Sequence, residues 1–265
     1  MQLVPEEDDR SYDNASNKPI FFLPHHAVFK ESSTTTKTRF VFDASAKSTT
    51  SVSLNDMLMV CPTIQQDLIS IVLRIRMHTY AMTADISKMY RQIRVHSEYY
   101  DLQRILSRSN DEPLKQYQLV TLTYGTSPAS FLATRCVNQF ASEEASSYPL
   151  AAEIISRDMY VDYLATVSDN LSEAQRLQKE IIYILGKGGF ALHKWCANHA
   201  YLLEGNPEQL RESEFSCNFK NYEGIKLLGL VWHPSQDTFK YEINIKPLSG
   251  TCDEESSLIC HHIHL

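Results

Sequence analysis

The chain has 265 residues, of which 43% are hydrophobic and 22% are charged, as is usual for a globular protein with a substantial core. No run of about 18 apolar residues occurs, and the N-terminus lacks the basic and apolar regions of a signal peptide, so we expect an intracellular, cytoplasmic protein without a membrane span. The net charge of −7 excludes a uniformly basic protein, but it does not exclude a local basic surface.

A β-hairpin is predicted near the N-terminus. Residues 1–17 are acidic and polar and are expected to be disordered or a remnant of a longer segment. The runs AVFK and RFVFD have strand-like alternation, and the polar segment ESSTTTKT between them predicts the turn. Basic residues outnumber acidic ones between Lys18 and Lys47. A solvated hairpin with ordinary charges is the alternative interpretation of this basic segment.

Strand and helix patterns alternate in the middle of the chain. TYAMTAD, which ends at Asp85, is typical of a buried strand, and YQLVTLTYG, from Tyr117 to Gly125, predicts another. SPASFLATRCVNQFASEEA then has helical spacing. DMYV predicts a strand, Asp162–Tyr163 its turn, and LATVS the returning strand.

The second helix and the last strands complete the pattern. Asn170 is predicted to cap the helix, with Glu173 completing a capping box. FALHKW, KLLGLVWHP and FKYEI predict short strands. From Thr79 to Trp195 the order is strand–helix–strand–strand–helix–strand, which predicts a split βαβ, ferredoxin-like antiparallel unit in an α+β protein.

Two aspartates are predicted to meet at one edge of this sheet. In a split βαβ unit the two central strands are neighbours. One of them ends on Asp85, and the other belongs to the hairpin that carries Asp162. Converging carboxylates repel each other unless a cation lies between them, and hard oxygen ligands suit Mg²⁺ shared with a phosphate substrate. The matching chemistry is two-metal nucleotidyl or phosphoryl transfer. On spacing alone, the alternative is that each aspartate is only a turn residue.

Five motifs carry a resemblance to a known family; in chain order they are TADISKMYRQIRVH, LTYGTSPASFLATRCV, MYVDYL, GGFALHKW and LLGLVWHP. From about Lys18 to Ser249 the chain resembles the reverse transcriptase of LTR retrotransposons, most closely of the BEL/Pao group. The resemblance implies an RNA-directed DNA polymerase, a nucleotidyltransferase with right-hand fingers and palm, in which the split βαβ unit is the palm. It also implies an RNA or DNA template with a primer, deoxynucleoside triphosphates, and Mg²⁺ or Mn²⁺.

The resemblance implies roles for metal-binding and nucleotide-binding residues. Asp85 and Asp162 match catalytic metal ligands, with the backbone carbonyl of Ile86 as a further ligand. Tyr90 matches the aromatic gate beneath the incoming sugar, whose ring would exclude a ribose 2′-hydroxyl; an aromatic residue that only packs in the palm is the alternative. Arg39 matches the fingers arginine that contacts the triphosphate, a task for which a guanidinium is suited.

Other nucleotide-binding assignments depend on looser matches. Lys30 and Lys37 either assist Arg39 or are ordinary surface charges. Gly125 matches the strand-to-helix segment beside the nucleotide, where a glycine lets the backbone approach a ligand closely. Tyr124 stands where the family often has glutamine.

Two further motifs match catalytic and primer-positioning segments. Lys194 matches a lysine that protonates pyrophosphate, with the nearby Lys187 as the alternative. Gly229 and Trp232 match the strand hairpin that positions the primer terminus, and an ordinary hydrophobic hairpin is the alternative.

The sequence also departs from the family. Tyr163 stands where the family's Tyr-x-Asp-Asp motif has its second acid, which indicates a decayed copy with impaired polymerisation. The resemblance divides the chain into a fingers-like region (18–78), a palm region with a primer-grip-like hairpin (79–249), and an unrelated tail (250–265) that we expect to be disordered. The alternatives to an impaired polymerase are a non-catalytic nucleic-acid-binding remnant and a transposon fossil without activity.

Overall fold

A computed structural model describes residues 1–4, 19–31, 37–108, 112–207, 210–211, 225–227, 230–234 and 236–240. The strands are β1 (Gln2–Leu3), β2 (His25–Phe29), β3 (Thr38–Phe42), β4 (Tyr80–Ile86), β5 (Arg104–Ser107), β6 (Lys115–Gln118), β7 (Met159–Tyr160), β8 (Tyr163–Ser168), β9 (Leu192–Ala197), β10 (Ile225–Leu227), β11 (Leu230–His233) and β12 (Thr238–Lys240). The α-helices are α1 (Leu54–Met57), α2 (Leu68–Arg76), α3 (Met89–Gln92), α4 (Ala129–Glu144), α5 (Pro149–Asp158) and α6 (Leu171–Lys187). Two 3₁₀ helices cover Ser97–Gln103 and Ala200–Leu202.

The central sheet contains four antiparallel strands in the order β7-β8-β4-β9. This is the order of a split βαβ unit, in which the first and third strands become neighbours at the centre. The ferredoxin-like unit predicted from the sequence is therefore confirmed, with β4 and β8 as its central pair.

Alternation along β4 decides what each face of the central sheet contacts. The residues of β4 that join the larger core, with α4, α5 and α6, are Met82, Ala84 and Ile86. Ala81 instead joins a smaller cluster that contains Ile71 of α2 and Trp232 of β11. Because successive strand residues point to opposite faces, Asp85 lies on the same face as Ala81, which we call the α2 face.

The helices begin at recognisable caps. Asn170 Oδ1 accepts the backbone N–H groups of Ser172 and Glu173 at 2.9 and 3.2 Å, which confirms it as the cap of α6. The Glu173 carboxylate accepts a bond from the Ser168 hydroxyl at 2.7 Å rather than closing a capping box. Helices α1, α2, α3 and α5 were not predicted. Among the described residues, no helix combines the length and apolar character needed to cross a membrane.

The strand predicted from Tyr117 to Gly125 is shorter than expected, because β6 ends at Gln118. The side-chain amide of Gln103 donates to the carbonyls that follow, at Leu119 and, over 3.1 Å, at Thr121. A side chain therefore occupies hydrogen-bonding positions that a neighbouring strand would use.

The N-terminal hairpin forms as predicted, with β2 and β3 antiparallel and His25 opposite Phe42. The Lys30 N–H donates to the Lys37 carbonyl at 2.8 Å near the hairpin end. Two further sheets have the orders β1-β6-β5 and β10-β11-β12. The region boundaries expected from the sequence stay predictions. Most of segment 1–17 and all of segment 250–265 lie outside the described residues.

A buried aspartate connects α2 to the end of α5. Asp158 is fully buried, and Arg74 Nε of α2 lies 2.9 Å from its Oδ1. The guanidinium of Arg157 donates to both Asp158 oxygens at 2.9 and 3.1 Å, and the Thr166 hydroxyl of β8 donates at 3.2 Å. Because a buried carboxylate is costly unless it is paired, this cluster fixes α2 relative to the central sheet.

Asp158→Ala should lower the free energy of unfolding by about 3 kcal/mol, because it leaves two arginines without their shared carboxylate. Glu153→Ala is the matched control, since Glu153 pairs with Arg157 at 2.9 Å but its side chain is 60% exposed. That change should cost about 0.5 kcal/mol or less. Denaturant unfolding measures both losses, and losses of equal size would contradict this view of the Asp158 cluster.

Candidate active site

Asp85 lies near the end of β4, on the α2 face of the central sheet. Its backbone pairs with Tyr163 of β8 and with His193 of β9. Its side chain is 20% exposed, so the carboxylate remains accessible from solvent.

Asp162 occupies the second position of the two-residue turn between β7 and β8. Tyr160 and Tyr163 pair across this hairpin, so the turn is Val161–Asp162, and the predicted Asp162–Tyr163 turn was wrong by one residue. The Asp162 carbonyl accepts the N–H of Ile86 at 2.7 Å. The structure therefore brings the two aspartates to the same end of the central strands.

The electrostatics of the pair agree with this placement. Burial raises the pKa of the Asp162 carboxyl above its ordinary value, and repulsion from Asp85 raises it further. The positive charge of Lys194 lowers the same pKa by a smaller amount. Two carboxylates that repel each other in this way form a site that a cation would stabilise.

A β-bulge directs Lys194 toward Asp85. A regular strand would point Leu192 and Lys194 to the same face, yet Leu192 and Trp195 are the residues that join the larger core. The register of β9 against β4 shifts at this point, and Lys194 has a φ of 53°. The bulge therefore turns Lys194 away from the core, and its ammonium forms an ion pair with Asp85 Oδ2 at 2.6 Å. Lys187, the alternative, instead pairs with Glu144.

Tyr163 is the first residue of β8 and lies directly opposite Asp85. Its half-buried ring packs against the apolar cluster on the α2 face, which includes Ile71 and Trp232. An aromatic ring therefore stands beside the two aspartates, at the position where the resemblance leads us to expect a carboxylate.

The donor groups at this site fit a divalent cation. Asp85 and Asp162 supply hard oxygen atoms, and the Ile86 carbonyl is the backbone donor expected from the sequence. Within the described ranges, no group of three or more His, Cys, Asp and Glu side chains converges. Mg²⁺ is commonly held by one or two carboxylates together with water and substrate phosphates, so a pair of aspartates is a sufficient protein contribution.

Tyr90 and Tyr124 connect this end of the sheet to the N-terminal hairpin. The Tyr90 hydroxyl of α3 lies 3.3 Å from Ser130 Oγ, and its ring meets Tyr124 edge-on at 6.3 Å between centroids. Tyr124 contacts the ring of Phe42 at 5.4 Å, and its hydroxyl donates to the Phe40 carbonyl. The residue that stands in place of glutamine thus bridges the Tyr90 region and β3.

Gly125 follows with a backbone that excludes a side chain. Its φ is 93°, and an added Cβ would lie 2.6 Å from the carbonyl oxygen of Phe42. The amide of Asn55 in α1 donates to the Gly125 carbonyl at 3.0 Å and accepts the Ser127 N–H at 2.8 Å. Gly125 is therefore required by close packing against the hairpin, whether or not a nucleotide binds beside it.

The basic residues of the N-terminal hairpin are exposed. Arg39 is the second residue of β3, and strand alternation puts it on the face opposite to Phe40 and Phe42. Lys30 directly follows β2, at the end of the hairpin where the connection to β3 begins. Their nucleotide-binding roles stay predictions.

Trp232 is fully buried rather than presented on a surface. Its indole N–H donates to Asp237 Oδ1 at 3.2 Å, and its ring stacks on Phe239 at 6.3 Å between centroids. Gly229 lies outside the described residues. Primer positioning by these two residues stays a prediction.

A cavity of about 440 Å³ is lined by His25, Phe42, Arg91 and Tyr124, among others, but by neither Asp85 nor Asp162. The aspartates are thus separate from this cavity, at the accessible end of the sheet.

Comparisons with known proteins identify the fold. No known family model matches the sequence, and no curated protein is significantly similar to it. The foamy viral protease-reverse transcriptase in complex with an RNA/DNA hybrid superposes with a TM-score of 0.53 and 17% identity, over 85% of this chain and 24% of that one. The dRH form of the foamy viral protease-reverse transcriptase, in complex with double-stranded DNA, superposes with a TM-score of 0.52 and 16% identity, over 79% of this chain and 29% of that one.

A mutant of the prototype foamy virus enzyme gives a TM-score of 0.50 and 20% identity, over 68% of this chain and 21% of that one. The chain therefore has a reverse-transcriptase-like fold. It spans between 21% and 29% of the length of these three proteins. In such a right-hand fold the central sheet is the palm sheet.

Three residues at the site were missed by sequence reasoning. Asn55 links the hairpin region to Gly125, Gln65 accepts the N–H of Val161 at 3.1 Å, and Asp158 anchors α2. The segment SLND, with Ser53 as the cap and Asp56 closing a capping box, marks the start of α1 and so the position of Asn55. We find no local signal for Gln65.

Gly125→Ala should lower the free energy of unfolding by about 2 kcal/mol, because its positive φ and the nearby carbonyl both disfavour a side chain. The control is Gly186→Ala in α6, where an added Cβ meets no atom within 4 Å. That change should stabilise the helix by up to about 1 kcal/mol. Equal effects of the two substitutions on thermal unfolding would contradict the tight packing at Gly125.

Asp162→Asn should stabilise the fold at neutral pH in the presence of a chelator, because it removes a carboxylate whose pKa is raised by burial and by Asp85. A raised folded pKa means that the folded state binds the proton more tightly, so the unmodified protein loses stability as pH rises from the unfolded value of 3.8 through the folded pKa.

The gain in melting temperature from Asp162→Asn should therefore be largest above the folded pKa and vanish below pH 3.8. It should be smaller in an Asp85→Asn background, where the repulsion is absent. A difference between Asp162→Asn and the unmodified protein that does not change with pH would contradict the raised pKa.

Proposed function

We propose that the chain is the fingers and palm of an RNA-directed DNA polymerase, the reverse transcriptase of a BEL/Pao-like LTR retrotransposon, in a copy with impaired catalysis. The observation that carries the proposal is the meeting of Asp85 and Asp162 at one end of the palm sheet. Fold neighbours bound to an RNA/DNA hybrid and to double-stranded DNA support a primed template as the partner. The order of the five sequence motifs supports the BEL/Pao assignment.

Asp85 and Asp162, with the carbonyl of Ile86, are the groups that would hold Mg²⁺ or Mn²⁺. When bound, a pair of such ions would supply two-metal chemistry, in which one ion would lower the pKa of a primer 3′-hydroxyl and the other would stabilise negative charge on the leaving pyrophosphate. The repulsion that raises the pKa of Asp162 supports this assignment, because it is the property expected of a cation site before its ion binds.

The remaining proposed roles belong to side chains around the pair. Tyr90 excludes a ribose 2′-hydroxyl, and its fixed position between Ser130 and Tyr124 supports that steric task. Arg39, assisted by Lys30, binds the triphosphate of a deoxynucleotide. Lys194 protonates the leaving pyrophosphate, and its ion pair with Asp85 supports a place beside the reacting groups.

Tyr163 weakens this chemistry because it adds no negative charge to the site. Lys194 already neutralises one carboxylate, so the pair attracts a cation less strongly than three carboxylates would. The same two observations favour the second candidate function, a nucleic-acid-binding remnant that does not catalyse extension.

Primer extension separates the two functions. The unmodified protein should extend a primed RNA or DNA template with Mg²⁺ at least about 10-fold to 100-fold more slowly than Tyr163→Asp, since even an outer partner of a metal ligand is commonly worth that much. Adding Asp85→Asn to Tyr163→Asp should abolish the restored activity while leaving template binding intact.

Rapid extension by the unmodified protein would refute the impairment by Tyr163. The contrary result is a folded Tyr163→Asp protein that binds the primed template with the salt dependence of phosphate contacts but never extends it. That result would refute the proposed polymerase activity and favour the nucleic-acid-binding remnant.

A further inference from the structure

The turn that carries Asp162 has an unfavourable backbone at its first residue. Val161 has a φ of 55°, whereas Asp162 has no positive φ. This sign pattern is that of a type II′ turn, whose first central residue is usually glycine. A β-branched valine rarely adopts the left-handed region. Contacts from elsewhere in the chain must therefore stabilise the turn in this geometry.

Two hydrogen bonds hold the backbone of the turn. The Asp162 carbonyl accepts the Ile86 N–H at 2.7 Å, which ties the turn to the palm sheet itself. The side-chain oxygen of Gln65 accepts the N–H of Val161 at 3.1 Å. Gln65 belongs to the segment before α2, so this second contact comes from outside the sheet and acts on the strained residue directly.

The segment that carries Gln65 is itself fixed. Asp67 caps α2 by accepting the Ser70 N–H at 2.9 Å. Arg74, on the same helix, pairs with the buried Asp158 at 2.9 Å, directly before the strand that leads into the turn. The helix is therefore anchored beside the hairpin, which leaves Gln65 little freedom to move away from Val161.

We propose that Gln65 is a positioning residue for Asp162. Its side-chain oxygen holds the strained Val161–Asp162 turn in the conformation that keeps the Asp162 carboxylate beside Asp85. The inference rests on the proposed function only in taking Asp162 as a metal ligand. If Gln65 were merely structural, replacing it would lower the stability of the protein without altering the turn or the binding of a cation.

Crystal structures of cation-free variants test the geometric part of the proposal. Gln65→Leu removes the acceptor and should let Val161 leave the left-handed region, displacing the Asp162 carboxylate from Asp85. Gln66→Leu is the matched control, because Gln66 is the exposed neighbour of the same type, and it should leave the turn unchanged. Gln65→Glu keeps an acceptor oxygen and should also retain the turn. An unchanged turn in Gln65→Leu would overturn the proposal.

Mn²⁺ affinity, measured by electron paramagnetic resonance, tests the consequence for the site. In the unmodified and Tyr163→Asp proteins, Gln65→Leu should weaken Mn²⁺ binding about 10-fold or more, while Gln66→Leu should not change it. Val161→Gly should restore the affinity of Gln65→Leu, because glycine adopts a positive φ without support. Equal affinity in Gln65→Leu and Gln66→Leu, or no rescue by Val161→Gly, would overturn the proposal.

The two experiments also separate this inference from the proposed function. If neither the unmodified protein nor Tyr163→Asp binds Mn²⁺, the metal site of the proposed polymerase is refuted. The cation-free structures then decide alone whether Gln65 holds the turn.

Discussion

The antiparallel register between β4 and β8 is the constraint on which the site depends. It sets Asp85 opposite Tyr163 and brings the carbonyl of Asp162 to the N–H of Ile86. A slip of one residue would exchange the two faces of the strand, burying Asp85 among the apolar residues of the larger core. The burial of Ala84 and Ile86 opposes that slip, so core packing and the placement of the aspartates have the same physical cause.

Charge at the site is balanced by a local irregularity of the backbone. The bulge in β9 delivers the Lys194 ammonium to Asp85, which leaves the three charged groups with one net negative charge when Asp162 is ionised. Cation affinity rises with the negative charge of the ligands, and Tyr163 contributes none. If the site binds a metal as proposed, this arrangement would retain the frame of the site while reducing its attraction for the ion, which would reconcile a reverse-transcriptase-like fold with weak catalysis.

The palm sheet could be predicted from the sequence because it depends on local alternation of apolar and polar residues and on the order of the elements. The ends of the turn and of β6 could not be predicted. Val161 takes a backbone conformation that is disfavoured for a valine, and the side chain of Gln103 replaces part of the hydrogen bonding that would extend β6. Gln65 acts on a residue 96 positions away, a separation that no local pattern encodes. The orientation of Lys194 depends on a bulge, which breaks the alternation on which sequence reasoning relies.

The central claim is that Asp85 and Asp162 share a divalent cation. Anomalous diffraction from crystals soaked in Mn²⁺ tests it most directly, because the signal locates the ion independently of activity or template. The account predicts an anomalous peak bonded to an oxygen atom of each aspartate and absent from Asp162→Asn crystals. A peak bonded to other side chains, or no peak at the end of β4 in crystals whose palm sheet is intact, would contradict it.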